Sequence, residues 1–469
     1  DLLAANFAQM IGQSLFFLDD KLDNDVRKTV VDSMFVRVFN PVLDALKTKE
    51  GRCYGWLNSL ANWNAVCLSG VTAAALSVIN DRNLRARFVA IAEYYSQNYV
   101  LGYTDDGYCS EGIGYFNYGF GNFVELRESI FQNTNGKLDL FTDEKVKRMA
   151  MYGITFEIIN GVYPAFADCH PGTVVDHNIL WYCNQNLHLG LKGYDSPEIA
   201  GSYNSMILFP NSADSESSPT ILSSEEKNSL PIRTYFDQAG VLICRPLVQD
   251  ASSMGVAIKG GHNNEHHNHN DVGTYSLVVG NETLVGDPGG PTVYNGNMFV
   301  SSKRYTQYKR LSSYGHPVPY VNQIAQATGK DAKANPVQTN FTDMRDEYII
   351  DIRSAYQEVK ELEKLTRRYI YEREGHGRLL IEDQFGFISP GEMESAITFA
   401  GSCKVNDNKQ LEITGKSAKV TVEISIPTNS SYKIVSEEIE DGGEKFTRLG
   451  IRLNEKLKEG FIRLSFKVD

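Results

Sequence analysis

Paired cysteines are missing from this sequence. Its 469 residues include seven cysteines, and no two of them have the spacing of a C-x-x-C pair. An odd number of scattered cysteines provides neither a disulfide framework nor a thiolate zinc site. We therefore expect mostly buried thiols at Cys53, Cys67, Cys109, Cys169, Cys183, Cys244 and Cys403.

A long apolar run and an excess of positive charge are missing as well. No stretch of about 18 apolar residues occurs, so the sequence predicts no membrane insertion. There are 46 Lys and Arg against 58 Asp and Glu, and the resulting net charge is -12. This balance argues against nucleic acid or an anionic membrane as the partner. An anionic glycan stays compatible with it, because the local field of a cleft decides such binding.

The first half of the chain has the apolar spacing of helices. Between residues 25 and 204 apolar residues recur at intervals of three and four, as in Val26, Val30 and Met34. The stretch from Trp63 to Ile79 is rich in small residues and poor in charge, which predicts an inner helix. Consecutive helical hairpins predict a bundle or toroid. The other predicted helices are Leu84–Tyr99, Asn122–Phe131 and Asp143–Ile159.

The second half consists of short runs of β-branched and aromatic residues. Many such runs with few helices predict an antiparallel sandwich. The polar stretch between Asn211 and Pro231 predicts an exposed linker. We therefore predict an α+β chain with an α/α toroid at 1–215 and an antiparallel β-sandwich at 216–469. The predicted strands are Gly240–Cys244, Met254–Ile258, Thr274–Val279, Tyr369–Tyr371, Lys419–Ile424 and Phe461–Phe466.

The most specific feature is the segment 262–273, which holds four of the nine histidines. If it forms a strand, then His267, His269 and Asp271 share one face. Two imidazoles could then bind one zinc ion, which needs a third ligand. Asp287 and His316 are the candidates for that ligand.

Two other interpretations of this segment stay open. It could be a polar loop whose histidines cap backbone groups. It could also belong to a cupin-like metal enzyme, which uses two histidines and a carboxylate. The cupin interpretation fits poorly, because the next acidic residue after Asp271 is Glu282.

Residues 267–273, His-Asn-His-Asn-Asp-Val-Gly, resemble the signature of the heparinase II/III family of polysaccharide lyases. Four other segments resemble parts of the same family, and the resemblance spans roughly residues 50 to 385. It implies an incomplete α/α toroid followed by an antiparallel β-sandwich, with a sugar bound between them. It also implies a periplasmic or secreted bacterial protein, whose signal peptide is not present in this chain. The four segments are Asn62–Cys67, Asp106–Tyr118, Leu284–Gly289 and Gly315–Pro319.

The resemblance assigns roles to individual residues. It implies a zinc ion that shapes the site and an anionic uronic-acid polysaccharide or oligosaccharide as the partner; it leaves the oligomeric state open. The implied zinc ligands are His269, Asp287 and His316. The implied catalytic residues are Asn62, Tyr115 and His267, and the implied substrate-binding residues are Asn64, Glu111 and Tyr118.

These residue types suit β-elimination from a uronate. Removal of the C5 proton adds negative charge beside a carboxylate, so the site must first neutralise that carboxylate, as Asn62 and His267 can. Tyr115 can act as a base only if nearby positive charge lowers its pKa, and Tyr118 is an alternative for it. Glycines at 112, 114, 119 and 121 predict a loop around these tyrosines.

Two further interpretations concern the surface and the activity. The basic residues Lys303, Arg304, Lys309 and Arg310 could contact acidic groups of a glycan, but a solvated surface is the ordinary interpretation of such a run. A non-catalytic glycan-binding protein of the same fold is the alternative to a lyase.

Overall fold

The structure is a computed structural model that describes residues 1–198, 230–406 and 410–468. The chain divides into two compact units. Unit 1 contains the described residues of Asp1–Cys109, Tyr115–Gly153 and Val175–Ser229. Unit 2 contains those of Ser110–Gly114, Ile154–Val174 and Leu230–Asp469.

The division into domains at 1–215 and 216–469 stays a prediction. The predicted linker and the boundary between 215 and 216 lie outside the described residues, apart from the last two linker positions, 230 and 231. The prediction used a single boundary, so it did not include Ile154–Val174 in the same unit as the residues from Leu230 onward. Within the described ranges, every helix is too short or too polar to span a bilayer.

Unit 1 is helical, as its apolar spacing predicts. A π-helical turn at Phe35–Phe39 separates its second and third helices. The helices are α1 (Leu2–Leu18), α2 (Asn24–Met34), α3 (Asn40–Thr48), α4 (Gly51–Leu57), α5 (Asn62–Val78), α6 (Arg82–Leu101), α7 (Gly112–Asn133), α8 (Glu144–Thr155) and α9 (His177–Leu187).

Helix α5 is the inner helix that its composition predicts. Fourteen of its seventeen residues are buried. Helix α1 crosses it closely, because a Cβ atom at Gly70 would lie only 2.4 Å from the carbonyl oxygen of Ala5. Small residues at the crossing therefore set the distance between the two helices.

The glycine-rich segment 112–121 is a helix, so the predicted loop is wrong. These glycines serve helix packing, since a Cβ atom at Gly119 would lie 2.7 Å from Tyr99 Oη and 3.0 Å from Asn62 Cβ. A Cβ atom at Gly121 would lie 3.0 Å from Ile179 Cδ1. The absence of side chains at 119 and 121 thus lets α7 approach α5, α6 and α9.

Unit 2 is built from antiparallel sheets, as predicted. One five-stranded sheet has the order β1-β2-β3-β5-β6, and an eight-stranded sheet has the order β14-β15-β16-β19-β12-β11-β10-β9. Smaller sheets have the orders β17-β18-β13-β7 and β4-β8. The strands are β1 (Arg233–Phe236), β2 (Val241–Cys244), β3 (Met254–Lys259), β4 (His262–Asn263), β5 (Tyr275–Val279), β6 (Glu282–Gly286), β7 (Tyr320–Val321), β8 (Gly329–Lys333), β9 (Asn335–Phe341), β10 (Arg345–Asp351), β11 (Leu362–Glu372), β12 (Arg378–Gly391), β13 (Met393–Phe399), β14 (Ser402–Val405), β15 (Leu411–Thr414), β16 (Lys419–Ser425), β17 (Tyr432–Ile439), β18 (Phe446–Leu453) and β19 (Leu457–Lys467).

The sheets of unit 2 share one hydrophobic core. Val256 and Leu277 from the five-stranded sheet pack in the same cluster as Leu365, Ile381 and Leu464 from the eight-stranded sheet. Two sheets that bury their inner faces together form a sandwich. This core supports the loops that carry the histidine segment.

Candidate active site and metal site

Residues 264–273 of the histidine segment form a loop between β4 and β5, so the predicted strand is wrong there. His267 has a φ of 54°, a left-handed conformation that a strand does not contain. Asp271 does not join the histidines. Its carboxylate accepts hydrogen bonds from Lys259 Nζ at 2.7 and 2.9 Å.

Buried polar side chains hold this loop in place of regular secondary structure. Gln326 donates to the carbonyl oxygen of Val272 at 2.8 Å and accepts from its N–H at 3.0 Å. The guanidinium of Arg304 and the hydroxyl of Tyr305 both donate to the carbonyl oxygen of Asn268. Such pairing satisfies backbone groups that burial would otherwise leave unpaired.

Three of the predicted residues come together in unit 2. His269, Asp287 and His316 are all buried, and one potential ligand atom from each lies within 4.8 Å of the others. Only one histidine of the His-x-His pair, His269, belongs to this group, and Nδ1 of His267 instead lies 3.0 Å from Asp168 Oδ2. The prediction that both histidines of the pair bind one metal is therefore wrong.

The same group has the properties of a metal site. His316 Nδ1 lies 3.2 Å from Asp287 Oδ2, close to the separation of about 3.3 Å that a tetrahedral ion imposes on ligands near 2 Å away. His269 Nδ1 and His316 Nε2 are buried and have no hydrogen-bond partner among the described residues. Buried polar atoms without a partner require an explanation, and a bound ion is one that fits two imidazole nitrogens beside a carboxylate. Two imidazoles and a carboxylate are a donor set that zinc accepts.

The charges in this group are coupled. Burial alone would raise the pKa of Asp287, but His316 and His269 lower the pKa of Asp287 to about 2. Burial lowers the pKa of His269. Burial also acts to lower the pKa of His316, but the charge of Asp287 outweighs it and raises that pKa. The group therefore contains a carboxylate that the two neighbouring imidazoles favour in its ionised form.

Asp168 lies beside the histidine loop, and sequence reasoning gave it no role. Its Oδ2 lies 3.0 Å from His267 Nδ1, and its Oδ1 lies 3.0 Å from His269 Nε2 and 2.7 Å from Arg304 Nη2. Burial alone would raise the pKa of Asp168, but the hydrogen bonds from the histidines and the charge of Arg304 hold it well below its usual value. Its segment contains no motif that could have identified it.

Two of the four basic residues of segment 303–310 are buried, so a solvated surface is the wrong interpretation for them. Arg304 binds Asp168 as described. Arg310 is 2% exposed, and it donates to the carbonyl oxygen of Pro288 at 2.8 Å. Lys303 and Lys309 are exposed, as expected.

The remaining predicted residues mostly lie in unit 1. Asn62 begins α5 and is 1% exposed, whereas Tyr115 and Tyr118 are half-buried, one turn apart on α7. The amide of Asn64 donates to the carbonyl oxygens of Leu57 at 2.7 Å and Tyr95 at 3.0 Å, which favours a structural role.

Glu111 is buried in unit 2. Burial raises the pKa of Tyr118, whose hydroxyl accepts from Asn6 at 3.5 Å.

All seven cysteines are free, and five of them are buried. The exceptions, Cys53 and Cys403, are partly exposed. This confirms the expectation of mostly buried thiols.

No protein-family model and no curated protein matches this sequence. Solved structures match its fold. A heparinase III with methylated lysines has a TM-score of 0.68 at 12% identity, over 100% of this chain and 67% of that chain. The heparan sulfate lyase HepC from Pedobacter heparinus has a TM-score of 0.65 at 13% identity, over 100% and 68%. A further heparinase III has a TM-score of 0.62 at 14% identity, over 87% and 61%.

The chain therefore has the heparinase III fold and spans about two thirds of the length of these neighbours. The predicted fold class, a helical toroid followed by an antiparallel β-sandwich, is confirmed. The resemblance to heparinase-like lyases is confirmed in the fold.

Proposed function

We propose that this chain is a polysaccharide lyase that cleaves a uronic-acid-containing glycan by β-elimination and leaves a 4,5-unsaturated uronate end. The observation that carries this proposal is the position of His267. Its partly exposed side chain contacts the carboxylate of Asp168, which the buried His269 also contacts. A fold shared with heparan sulfate lyases supports the same conclusion.

The first task of such an enzyme is to neutralise the uronate carboxylate. Removal of the C5 proton would otherwise place a second negative charge next to the first. In the proposed mechanism Asn62 and the imidazolium form of His267 donate hydrogen bonds to that carboxylate, and these bonds strengthen as charge develops.

The second task is transfer of a proton. The phenol of Tyr115 has a reference pKa near 10, so it becomes a base only beside positive charge or a strong hydrogen-bond donor. When the C5 proton and the C4 oxygen lie on one side of the ring, Tyr115 takes the proton and returns it to the departing oxygen. When they lie on opposite sides, His267 is the base and Tyr115 is the acid.

The proposal includes a zinc ion held by His269, Asp287 and His316. A zinc ion bound there would cross-link and shape the loop, and it need not act as a Lewis acid. The chain's own residues do the chemistry. His267 is two residues from His269, so ordering of one histidine restricts the position of the other.

The proposed substrate is an anionic polysaccharide or oligosaccharide, and the proposed location is periplasmic or secreted. Heparan sulfate, alginate, hyaluronan-type chains and plant or algal uronans all carry the required C5 proton. The net charge of -12 implies that local groups, and not the field of the whole protein, attract the glycan.

The test is a panel of these glycans incubated with the zinc-loaded protein. Ultraviolet absorbance by new unsaturated ends is the expected result for at least one of them. The matched control is Tyr115→Phe, which removes one hydroxyl and should abolish the signal. Binding without unsaturated ends would favour a non-catalytic glycan-binding protein. The proposal is refuted if the protein neither binds nor cleaves any uronan.

A further inference from the structure

Asp168 is a buried carboxylate shared by two histidines with different expected roles. Its side chain has 0% exposure. His267 contacts Oδ2, whereas His269 and Arg304 contact Oδ1. One residue thus connects the partly exposed histidine to the buried three-residue group.

We propose that Asp168 is a positioning residue that fixes the tautomers of both histidines, with the proton of His267 on Nδ1 and the proton of His269 on Nε2. The part of this inference that concerns catalysis rests on the proposed lyase function. The part that concerns the protons rests on geometry alone.

The assignment follows from the atoms that face each other. An ionised carboxylate only accepts hydrogen bonds, and Arg304, which cannot accept, donates to the same group at 2.7 Å. His267 Nδ1 and His269 Nε2 each lie 3.0 Å from a carboxylate oxygen. Each of these ring nitrogens must therefore carry a proton.

The two tautomers have different consequences. In His269 the lone pair is left on Nδ1, the buried atom without a partner among the described residues, and a metal can bind there. A ligating histidine that donates its other N–H to a carboxylate is a common arrangement at metal sites. In a neutral His267 the lone pair is left on Nε2. Nε2 is therefore the atom of His267 that would exchange a proton with the substrate.

The backbone around Asp168 holds the carboxylate in this position. The N–H of Gly290 donates to the carbonyl oxygen of Cys169 at 2.7 Å. A Cβ atom at Gly290 would lie 2.6 Å from Asp168 Cα, so only glycine allows this approach. Ala167, just before Asp168, has a φ of 60°, which is unfavourable for a residue with a side chain. These features restrict the direction of the carboxylate.

The decisive variant is Asp168→Asn, which keeps the shape but has only one acceptor oxygen. Arg304 can only donate, so the amide oxygen should stay at the Oδ1 position, which His269 also contacts. The amide NH₂ then faces His267 Nδ1, which must become an acceptor. The proton of His267 moves to Nε2, while the tautomer of His269 is unchanged.

Nitrogen NMR of the imidazoles in the zinc-loaded protein measures this directly. The wild type should show His267 protonated on Nδ1, and Asp168→Asn should show it protonated on Nε2. The variant should retain most of its zinc and lose lyase activity by about a hundredfold or more, as for a wrongly oriented acid or base. Asp168→Ala should lower zinc affinity by about ten- to a hundredfold.

The matched control is Asp139→Asn. Asp139 also accepts two bonds from an arginine, Arg127, at 2.7 and 2.6 Å, but it lies in unit 1. This control should lower the unfolding temperature and leave the tautomers of His267 and His269 unchanged. If Asp168 has only a structural role, Asp168→Asn should likewise lower the unfolding temperature and leave both tautomers unchanged.

Each outcome has a defined meaning. Wild-type His267 protonated on Nε2 and not on Nδ1 overturns the inference, even if Asp168→Asn does not fold. An unchanged His267 tautomer in a folded Asp168→Asn also overturns it, while the lyase proposal stands if the wild type cleaves a glycan. The expected tautomers without cleavage of any uronan support the positioning role and refute the lyase function.

Discussion

Glu265 provides a test of how the histidine loop is built. It lies on that loop with only 10% of its side chain exposed, and its carboxylate is 3.9 Å from Lys259 Nζ. That lysine already binds both oxygens of Asp271. Burial therefore raises the pKa of Glu265 to about 7, because the charge of Lys259 only partly compensates.

The sign of the effect follows from proton binding. Between the ordinary value of 4.5 and the folded value of about 7, the folded state holds the proton and the unfolded state does not. Stability must then fall as the pH rises through this window. The difference of about 2.5 pKa units corresponds to roughly 3 kcal/mol at about 1.36 kcal/mol per unit. Glutamine does not titrate, so Glu265→Gln should remove this pH-dependent loss of stability.

The assay is hydrogen exchange of β3 and β5, which pair with each other and precede and follow the segment that contains β4 and the loop, in wild type and Glu265→Gln at each pH. The intrinsic exchange rate changes with pH in the same way in both proteins, so it cancels in the ratio of their rates. The ratio of wild-type to variant exchange rates should rise by roughly a hundredfold between pH 4.5 and pH 8, since 1.4 kcal/mol is a factor of ten. Glu358→Gln, an exposed control, should show a constant ratio. A constant or falling ratio for Glu265→Gln would refute the reasoning.

Two further predictions concern the proposed chemistry. Tyr115→Phe should keep its fold and zinc but lose turnover by about a hundredfold or more, whereas His269→Ala should lose zinc and thermal stability together. Activity in Tyr115→Phe but not in Tyr118→Phe would transfer the role to Tyr118. Elemental analysis of protein purified without chelator should find about one zinc per chain. Less than about half an equivalent would contradict the assignment of the three ligands.

The fold was predictable where apolar spacing is regular and long. The predicted helix Leu84–Tyr99 is observed as Arg82–Leu101. The predicted strand Tyr369–Tyr371 covers only three residues of the eleven in Leu362–Glu372. Buried charge explains the difference, since Arg367 inside this strand is fully buried against Asp383 and interrupts the apolar pattern.

The candidate site was predictable only where a motif carries it. His269, Asp287 and His316 were identified through three short segments that resemble one family, and the structure brings them together. Asp168 lies 99 residues before His267. Nothing in the sequence around it distinguishes it from other aspartates, so only the three-dimensional fold could reveal its contacts.

The density of polar residues in the histidine loop has a physical reason other than metal binding. Asn268, His269, Asn270 and Asp271 are each at most 3% exposed, although such residues are usually solvated. Burial is tolerated because each of these side chains makes at least one hydrogen bond to a neighbouring group. Removal of any one partner leaves a buried polar group unsatisfied, at a cost of about 1–3 kcal/mol. The position of His267 therefore depends on a network of polar contacts, and most polar residues of the motif are needed to build the loop and not to bind a ligand.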